Sequence, residues 1–347
     1  MASSLNNSAW VEWITGLMGE GSRQSYAATL PPARFCCLLD DLPLHLVPRW
    51  AWQALQIANQ KPQNLFLNPD CVLLPADQFP DTLCEHHGLF SDARSGTIAW
   101  VRDRVSGNPN PFWLGPEFEN IVRGLRPHEP TPSNLDPHIR ALLLGAGILC
   151  EEGEQMLLFQ VRETALRRSA SLFREKGYAP ISNLIHPFHI AALRRYYRYQ
   201  IRTGAIRLGD RQSARRYAAY KEPVARFFHR QIASAFSALA GEALRPSYVY
   251  MASYLSGAEL KKHTDREQCE FSVTLCLDFA PEPGLSTSWP IRLDTSQGTV
   301  AVYQALGDGL AYRGTRLPHY RDQLAEGYTS TSIFFHYVGE NYAGSLD

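Results

Sequence analysis

Two histidines and one aspartate have types and a spacing that could bind a metal ion. His263 and Asp265 are two positions apart, and on an extended backbone side chains at i and i+2 leave the same face. One imidazole and one carboxylate could therefore reach a single ion from one strand end. A second imidazole, His319, lies in another segment with strand character. Two imidazoles and a carboxylate on one side of a metal ion leave its opposite side open for further ligands.

The segments around these residues alternate as β-strands do. Residues 270–278 carry apolar side chains at Phe271, Val273, Leu275 and Leu277, a period of two. Further short segments of strand character lie at 247–254, 289–293, 299–303, 307–314 and 330–338. Many short strands separated by Gly and Pro turns predict a sandwich or jelly roll. A His-x-Asp triplet alone is weak evidence in a chain with 11 histidines, so the prediction depends on this context.

In the order and spacing of these motifs, residues 172–340 resemble the Fe(II)/2-oxoglutarate dioxygenase superfamily, specifically its prolyl-4-hydroxylase-like branch. The resemblance implies an α+β fold in which a double-stranded β-helix, or jelly roll, has an entry strand at 178–185 and supporting helices at 187–202 and 222–239. It also implies that His263, Asp265 and His319 bind Fe(II), that 2-oxoglutarate chelates the iron and that O₂ is the oxidant. Related halogenases lack the carboxylate, so the presence of Asp265 favours hydroxylation.

The anchor for the far carboxylate of 2-oxoglutarate departs from the family pattern. The family places an Arg or Lys ten positions beyond the distal histidine, because an unpaired buried carboxylate costs several kcal/mol. Here Thr329 stands at that position, and no Lys or Arg follows Arg321. Arg321, two positions beyond His319, is the favoured replacement because a guanidinium binds a carboxylate bidentately; a solvated charge at a strand end is the alternative. The other candidates are the neutral donors Tyr254, Thr329 and Thr331 and the cations Arg292 and Arg313.

Tyr254 matches the family tyrosine that lies nine positions before the first metal-binding histidine. His336 is the alternative to His319 as third ligand, but its aromatic neighbours predict core packing. His319 follows the Gly-rich run after which the family places its distal histidine. The remaining histidines near the supporting helices are expected to be structural: His186, His189 and His229.

Cys84, His86 and His87, with Cys71 upstream, are a second candidate metal site. Adjacent histidines seldom bind one ion with good geometry, and the sequence has no Cys-x-x-Cys pair. We therefore interpret these residues as structural or surface residues and not as metal ligands.

Length and composition predict two domains. With 347 residues, of which 45% are hydrophobic, the chain can build more than one core. We place a mixed N-terminal domain at 1–165 and the dioxygenase domain at 166–347. Residues 137–149 predict a helix ending at a Gly turn, and residues 156–161 predict a strand. This pattern is similar to the small winged-helix domains that bind leader peptides in ribosomal-peptide biosynthesis; a domain that shields one edge of the catalytic sheet is the alternative.

The charge distribution is uneven although the net charge is zero. Residues 162–230 contain 16 Lys and Arg against 4 Asp and Glu. Within them, the segment 193–202 interleaves arginines with tyrosines, as nucleic-acid-binding segments do. The same tyrosines also fit the buried stripe of an amphipathic helix whose arginines lie on its wet face. We favour the packing helix, so a nucleic-acid partner is not expected.

The seven cysteines, an odd number, and the lack of a signal-peptide pattern at the N-terminus predict a reduced, cytoplasmic location. No apolar run approaches the roughly 18 residues of a membrane span. The sequence therefore predicts an Fe(II)/2-oxoglutarate-dependent hydroxylase acting on an unactivated C–H bond of a peptide or protein side chain or of an amino-acid-like metabolite. A jelly-roll binding protein with a degenerate metal site and a nucleic-acid-directed oxidative demethylase are the alternatives. The oligomeric state stays open.

Overall fold

The computed structural model describes residues 35–60, 64–76, 96–102, 107–126, 128–210 and 212–346. The chain divides into two compact units, one of Met1–His45 with Ala51–Phe159 and one of Leu46–Trp50 with Gln160–Asp347. The second unit contains every residue that the sequence predicts to bind iron or 2-oxoglutarate. A separate function for the N-terminal domain of residues 1–165 stays a prediction.

Before residue 160, the described segments form a three-stranded antiparallel sheet, β2–β3–β4, and a two-stranded pair, β1–β5. Asp136 caps a helix here, its carboxylate accepting hydrogen bonds from the amides of His138 and Ile139. The strands are β1 Leu65–Leu67, β2 Cys71–Pro75, β3 Thr97–Arg102, β4 Pro109–Leu114 and β5 Leu149–Glu151. The α-helices are α1 Arg49–Asn59, α2 Pro116–Gly124 and α3 Pro137–Gly145, and short 3₁₀ turns lie at Leu39–Asp41 and Leu44–Leu46.

The strand predicted at 156–161 is wrong, because these residues lie in the helix α4, Glu154–Lys176. Gly153 has a positive φ of 74° and ends the turn that precedes this helix. Met, Leu and Gln dominate the segment and are good helix formers, and a short apolar run does not distinguish helix from strand. Strand β5 consequently pairs with β1 and not with residues 156–161.

The second unit is built on two antiparallel sheets, as the predicted jelly roll requires. The larger sheet has the strand order β6–β13–β10–β15–β8–β7, and the smaller has the order β12–β11–β14–β9. The larger sheet consists of β6 Tyr178–Ile181, β7 Arg216–Tyr220, β8 Leu244–Tyr254, β10 Phe271–Ala280, β13 Gly309–Tyr312 and β15 Thr329–Gly339. The smaller sheet consists of β9 Leu260–His263, β11 Ile291–Thr295, β12 Gly298–Val302 and β14 His319–Arg321. A 3₁₀ turn, Glu267–Cys269, precedes β10.

The core of this unit lies between the two sheets. Ile291 and Leu293 of β11 cluster with Leu310 and Tyr312 of β13. Strand β10 is buried along nearly its whole length, as expected for a central strand covered on both faces. Phe271, Val273, Leu275 and Leu277 alternate with the polar Ser272 and Thr274, so the polar residues of β10 face the space between the sheets, where the metal motif lies.

Three helices follow β6 and support the larger sheet: α5 Pro187–Arg202, α6 Pro223–Gln231 and α7 Ala233–Ala240. The predicted first supporting helix is confirmed, and its tyrosines Tyr196 and Tyr197 are buried. The second predicted helix is two helices separated at Ile232. The hydroxyl of Tyr337 donates to the carbonyl of His229 at 2.8 Å, and an uninterrupted helix would use that carbonyl for the amide four residues later.

Candidate metal centre and co-substrate pocket

The pairing of β9 with β14 brings the predicted metal ligands together. In this register His263 lies directly opposite His319, and their ring centroids are 4.4 Å apart. Asp265 follows β9, and its amide donates to the carbonyl of Gly314 at 2.9 Å. Oδ1 of Asp265 lies 3.7 Å from Nε2 of His263 and 3.5 Å from Nε2 of His319. One ligand atom from each of the three residues lies within 4.8 Å of the others, a spacing that one metal ion can bridge.

Backbone carbonyls fix which nitrogen of each imidazole faces the centre. Nδ1 of His263 lies 2.7 Å from the carbonyl of Lys261, and Nδ1 of His319 lies 3.0 Å from the carbonyl of Leu317. Because a carbonyl only accepts, each Nδ1 carries the proton and each Nε2 offers a lone pair to a metal. This is the usual outer-sphere arrangement of a histidine metal ligand.

The carboxylate is oriented in the same way. The hydroxyl of Ser272 donates to Oδ2 of Asp265 at 2.8 Å, which leaves Oδ1 toward the two imidazoles. Burial alone would raise the pKa of Asp265, but the neighbouring His319 and His336 rings and the Ser272 hydroxyl outweigh it and lower that pKa to about 2. Burial lowers the pKa of His263, and the adjacent His319 lowers it further. An ionised carboxylate and a neutral imidazole are the forms that bind a metal.

Gly314 permits the close approach of the three segments at this centre. A Cβ at this position would lie 2.3 Å from the carbonyl oxygen of Cys269, 2.4 Å from Oδ2 of Asp265 and 2.7 Å from Oγ of Ser272. Any side chain here would therefore displace the carboxylate or the hydroxyl that orients it. The glycine belongs to the Gly-rich run before His319, so its role had a signal in the sequence.

His336 lies beside the centre, but its hydrogen bonding favours an orienting role. Its Nδ1 is 2.9 Å from Oγ of Ser272, whose own proton goes to Asp265. Together with Asp265 and Cys269 it forms a second group with metal-ligand spacing. Burial raises the pKa of Cys269 to about 12, which disfavours the thiolate in the absence of a metal. His319, which lies opposite His263, stays the predicted third ligand.

Arg321 is buried between the sheets and has no carboxylate partner among the described residues. Its guanidinium donates to the carbonyl of Trp289 through Nη1 and lies 3.4 Å from Oε1 of Gln304 through Nη2, while Nε has no hydrogen-bond partner. The side chain is 5% exposed, and burial lowers its pKa. The predicted alternative of a solvated charge is wrong, because a two-residue step along β14 places Arg321 on the inward face with His319.

A second unpartnered polar atom lies on the opposite sheet. Ser332 of β15 is 1% exposed, and its Oγ has no hydrogen-bond partner. It pairs across the ladder with Cys276, a residue whose thiol interacts electrostatically with Arg321. Buried polar atoms are rarely left unpaired in a folded protein. A donor from each sheet thus remains available for an acceptor such as a carboxylate.

The other residues predicted to bind 2-oxoglutarate differ in whether they lie on the cavity wall. Tyr254 lines the cavity beside the metal centre. Thr329 and Thr331 do not, because their odd positions on β15 place them on the face opposite Phe334 and His336, which do line it. Thr331 instead donates to Oγ of Ser253 at 2.8 Å.

The two reserve cations are engaged away from the cavity. Arg292 pairs with Asp322 at 2.6 Å. Arg313 lies over the rings of Phe173 and Phe271, at 5.4 and 5.0 Å from their centroids. Like Arg321, neither residue is among the described residues that line the cavity; they differ from Arg321 in that the chain already engages their guanidinium groups.

A cavity of about 680 Å³ opens at the metal centre. Its wall contains His263, Asp265, His319 and His336 and, in addition, residues that the sequence analysis missed. These are the two arginines Arg216 and Arg266 and the aromatic side chains Tyr220, Tyr248, Tyr250, Tyr312 and Phe334. Tyr248, Tyr250 and Tyr254 lie at even spacings on β8, and this spacing could have identified them from the sequence as residues of one face. Arg216 and Arg266 had no comparable signal in the sequence.

The second candidate metal site was placed at Cys84, His86 and His87, which lie outside the described residues. Its upstream member Cys71 is described, and burial raises the pKa of its thiol to about 12. His186, His189 and His229 belong to neither group with metal-ligand spacing in the described chain. No helix in that part of the chain is both long enough and apolar enough to cross a membrane.

No protein-family model matches the sequence, and no curated protein matches it. Among solved structures, the chain is similar to SnoN, a non-heme alpha ketoglutarate dependent epimerase from nogalamycin biosynthesis, with a TM-score of 0.41, 15% identity, and 51% of this chain and 84% of that chain covered. It is similar to an oxidoreductase of the 2OG-Fe(II) oxygenase family from Burkholderia pseudomallei, with a TM-score of 0.42, 14% identity and coverage of 52% and 92%. It is also similar to a prolyl-4-hydroxylase from Pseudomonas putida, with a TM-score of 0.41, 15% identity and coverage of 50% and 100%.

Because the TM-scores lie below 0.5, the function proposed below rests on the geometry of this chain's own site.

Proposed function

We propose that this chain is an Fe(II)/2-oxoglutarate-dependent hydroxylase that acts on an unactivated C–H bond of a small molecule or of a peptide side chain. The observation that carries the proposal is the convergence of His263, Asp265 and His319, each with its outer atom fixed by a hydrogen bond and its inner atom toward one point. Two imidazoles and one carboxylate with an open opposite side are the ligand set of non-haem Fe(II) oxygenases.

The residues between the two sheets fit 2-oxoglutarate as well as the metal. Arg321 is a buried cation with one unpaired N–H, and Ser332 is a buried hydroxyl without a partner. A carboxylate is the acceptor that would satisfy both, and a guanidinium binds it in a defined orientation. Tyr254 lies on the cavity wall and interacts electrostatically with Arg321. We assign Arg321, with Tyr254 and Ser332, to the far carboxylate of the co-substrate.

The bound iron would supply the oxidising chemistry, in which the substrate, O₂ and 2-oxoglutarate are converted to the hydroxylated product, succinate and CO₂. The protein's own residues perform the remaining tasks. His263 and His319 keep their metal-binding nitrogens unprotonated, and Ser272 holds Asp265 in one orientation.

The basic stretch at 162–230 gives little support to a nucleic-acid substrate. Arg194 and Arg198 of α5 bind Asp278, and Arg216 of β7 binds Asp210. These three of the sixteen cations of this stretch thus have a carboxylate partner within the unit. Arg194 is 1% exposed, so it does not lie on the wet face that the packing-helix interpretation expects.

Anaerobic addition of Fe(II) and 2-oxoglutarate tests the proposal. The full chain should develop the weak visible charge-transfer band of the chelate, and O₂ should then convert 2-oxoglutarate to succinate. His319→Ala and Asp265→Ala should each abolish the band, because two ligands do not hold the ion in place. The exposed His138→Ala is the matched control and should keep it. A chain that shows neither the band nor stabilisation by 2-oxoglutarate would instead be a jelly-roll binding protein.

A further inference from the structure

One wall of the cavity is a continuous series of aromatic rings that runs from the solvent to the metal centre. Tyr220 of β7 stacks on Tyr248 of β8, with centroids 5.2 Å apart and an interplanar angle of 14°. Tyr248 in turn lies 4.6 Å from the ring of His336. A second branch goes from Tyr220 to Tyr250 at 5.4 Å and from Tyr250 to Phe334 at 5.9 Å. Exposure falls from 54% at Tyr220 to 8% at Tyr248, so the wall leads inward.

The hydroxyl groups of this wall are engaged by the protein. Tyr220 accepts a hydrogen bond from Arg266 at 2.5 Å, and the hydroxyl of Tyr248 is 2.8 Å from Sγ of Cys269. The hydroxyl of Tyr250 donates to the carboxylate of Asp210 at 2.8 Å. The rings are therefore held in place by the protein. Such a wall contacts a flat, apolar group by dispersion and ring stacking.

The two cavity arginines differ in how their charge is balanced. Arg216 is 4% exposed and pairs with Asp210 at 2.7 Å. Arg266 lies at the exposed rim, bonds to the hydroxyl of Tyr220, and has no carboxylate within ion-pair distance in the described part of the chain. Its carbon Cζ is 5.1 Å from the centroid of the Tyr248 ring. The rim thus carries one uncompensated positive charge, held in a defined position beside the aromatic wall.

The same geometry disfavours a cationic ligand. An aromatic cage attracts a cation when its ring faces are free, but guanidinium groups already lie over Tyr248, Tyr250 and Tyr254. A second cation on these rings would meet like charge. An anion, in contrast, would gain a charge-assisted hydrogen bond from Arg266.

We infer that the substrate of this site is a small acid with an apolar ring, whose anionic group binds Arg266 at the rim while the ring lies against the wall of Tyr220, Tyr248 and Phe334. This inference rests on the proposed function for its reaction and adds the chemical class of the substrate. A cavity of about 680 Å³ is of the size that encloses a small organic ligand.

Binding of a matched series of compounds tests the inference. The probes are 3-phenylpropionate, 3-phenylpropionamide and 3-phenylpropylammonium, which share a ring and a chain but carry charges of −1, 0 and +1. Calorimetry measures their affinities for the full chain, which is first loaded with redox-inert Ni(II) and 2-oxoglutarate so that Arg321 is occupied. The anion should bind most tightly, the amide less tightly and the cation least. The anion should bind about tenfold more tightly than the amide. Propionate, which lacks the ring, should bind at least about tenfold more weakly than 3-phenylpropionate.

Substitutions assign the preference to its residue. Arg266→Gln should remove the difference between anion and amide, and Arg266→Lys should restore part of it. Arg167→Gln removes an exposed arginine on α4 and should change nothing. Equal affinities across the series, no measurable binding of the anion, or an unchanged preference in Arg266→Gln would overturn the inference.

Two further measurements separate the two proposals: titration of the chain with Ni(II) and 2-oxoglutarate themselves, and titration with the same probes in their absence. If Ni(II) and 2-oxoglutarate bind but the charge order is absent, the substrate class is wrong and the proposed function stands. If neither binds while the charge order and its loss in Arg266→Gln persist, the proposed function is wrong and the acid site stands.

Discussion

Two buried arginines of the second unit differ in the acceptors that balance their charge. Arg194 of α5 is 1% exposed, and its Nε donates to Asp278 at 2.8 Å while its Nη2 donates to Glu282 at 2.5 Å. Its Nη1 donates to the carbonyl of Leu46 at 2.7 Å, so every nitrogen has an acceptor. Arg321 of β14 is 5% exposed, and its acceptors are a carbonyl and an amide oxygen, with Nε unpaired.

The difference separates a charge that the folded chain balances from one that it leaves without a carboxylate partner among the described residues. Removing a charge from water costs several kcal/mol, and an opposite charge with good geometry recovers most of that cost. Arg194 has recovered it within the folded chain. Arg321 has not recovered this cost. The free energy of unfolding of the second unit is therefore lower with Arg321 than it would be with an apolar side chain at this position. Strain of this kind is retained where a ligand later supplies the missing partner.

The largest expected effect comes from breaking the paired arginine. Arg194→Met should lower the free energy of unfolding of the second unit by about 3 kcal/mol, because it leaves Asp278 and Glu282 without their buried cation. Urea titrations followed by near-ultraviolet circular dichroism measure this loss. Stabilisation by 2-oxoglutarate should persist, since the network lies on α5 and the end of β10.

Arg198→Met is the matched control for that substitution. Arg198 lies on the same helix and binds the same carboxylate at 2.6 Å, but its side chain is 47% exposed. A partly solvated pair contributes at most about 1 kcal/mol. Equal losses in the two variants would show that burial does not distinguish these arginines.

A third buried base, His229 of α6, remains neutral. Its Nε2 donates to the carbonyl of His336 at 2.7 Å, and burial lowers its pKa to about 3. Because this pKa lies below the unfolded value of about 6.5, its contribution to stability is complete above pH 6.5 and is lost as the pH falls. Between pH 6.5 and 5 the loss should be about 2 kcal/mol.

His229→Gln should remove this part of the pH dependence. The amide can still donate to the carbonyl of His336 but does not titrate, so the unfolding free energy of the variant should fall less steeply below pH 6.5. Urea titrations at several pH values compare the two slopes. His138→Gln, at an exposed position of α3, should retain the slope of the unchanged chain. Parallel slopes for His229→Gln and the unchanged chain would exclude His229 as the titrating group.

The strands and residues around the metal centre show which features the sequence could predict. The period-two alternation at 270–278 predicted β10, and the strand character of 330–338 predicted β15. The proximity of His263 and Asp265 was expected from their two-residue spacing, although Asp265 lies just after β9, and the order of motifs supplied His319. The role of the three residues as metal ligands stays a prediction. Arg321 was predictable by the same spacing from His319.

The failures have a different physical origin. Residues 156–161 form a short apolar run in which local propensity had to decide, and there the helix formers prevailed. Thr329 and Thr331 were chosen by counting from His319, but the alternation of β15 turns them to the other face. Arg266 and the carboxylate partners of Arg194 depend on contacts between distant segments. No local pattern records which arginine finds a carboxylate.

The unpaired arginine gives the smallest expected change in stability and the sharpest test of the comparison. Arg321→Met should change the unfolding free energy by no more than about 1 kcal/mol, because an apolar side chain of similar length avoids the burial cost while losing two hydrogen bonds. The same variant should bind 2-oxoglutarate about a hundredfold more weakly, since the co-substrate's carboxylate loses its cation. Calorimetry in the presence of a redox-inert metal measures this affinity.

Arg292→Met provides the control, because Arg292 is paired with Asp322 on the smaller sheet and should leave 2-oxoglutarate binding unchanged. Arg321→Lys should recover part of the affinity, since it retains the charge without the bidentate geometry. If Arg321→Met destabilises the second unit as much as Arg194→Met does, Arg321 is a structural charge like Arg194. If it binds 2-oxoglutarate normally, the anchor lies elsewhere, and Arg216 on the cavity wall becomes the next residue to substitute.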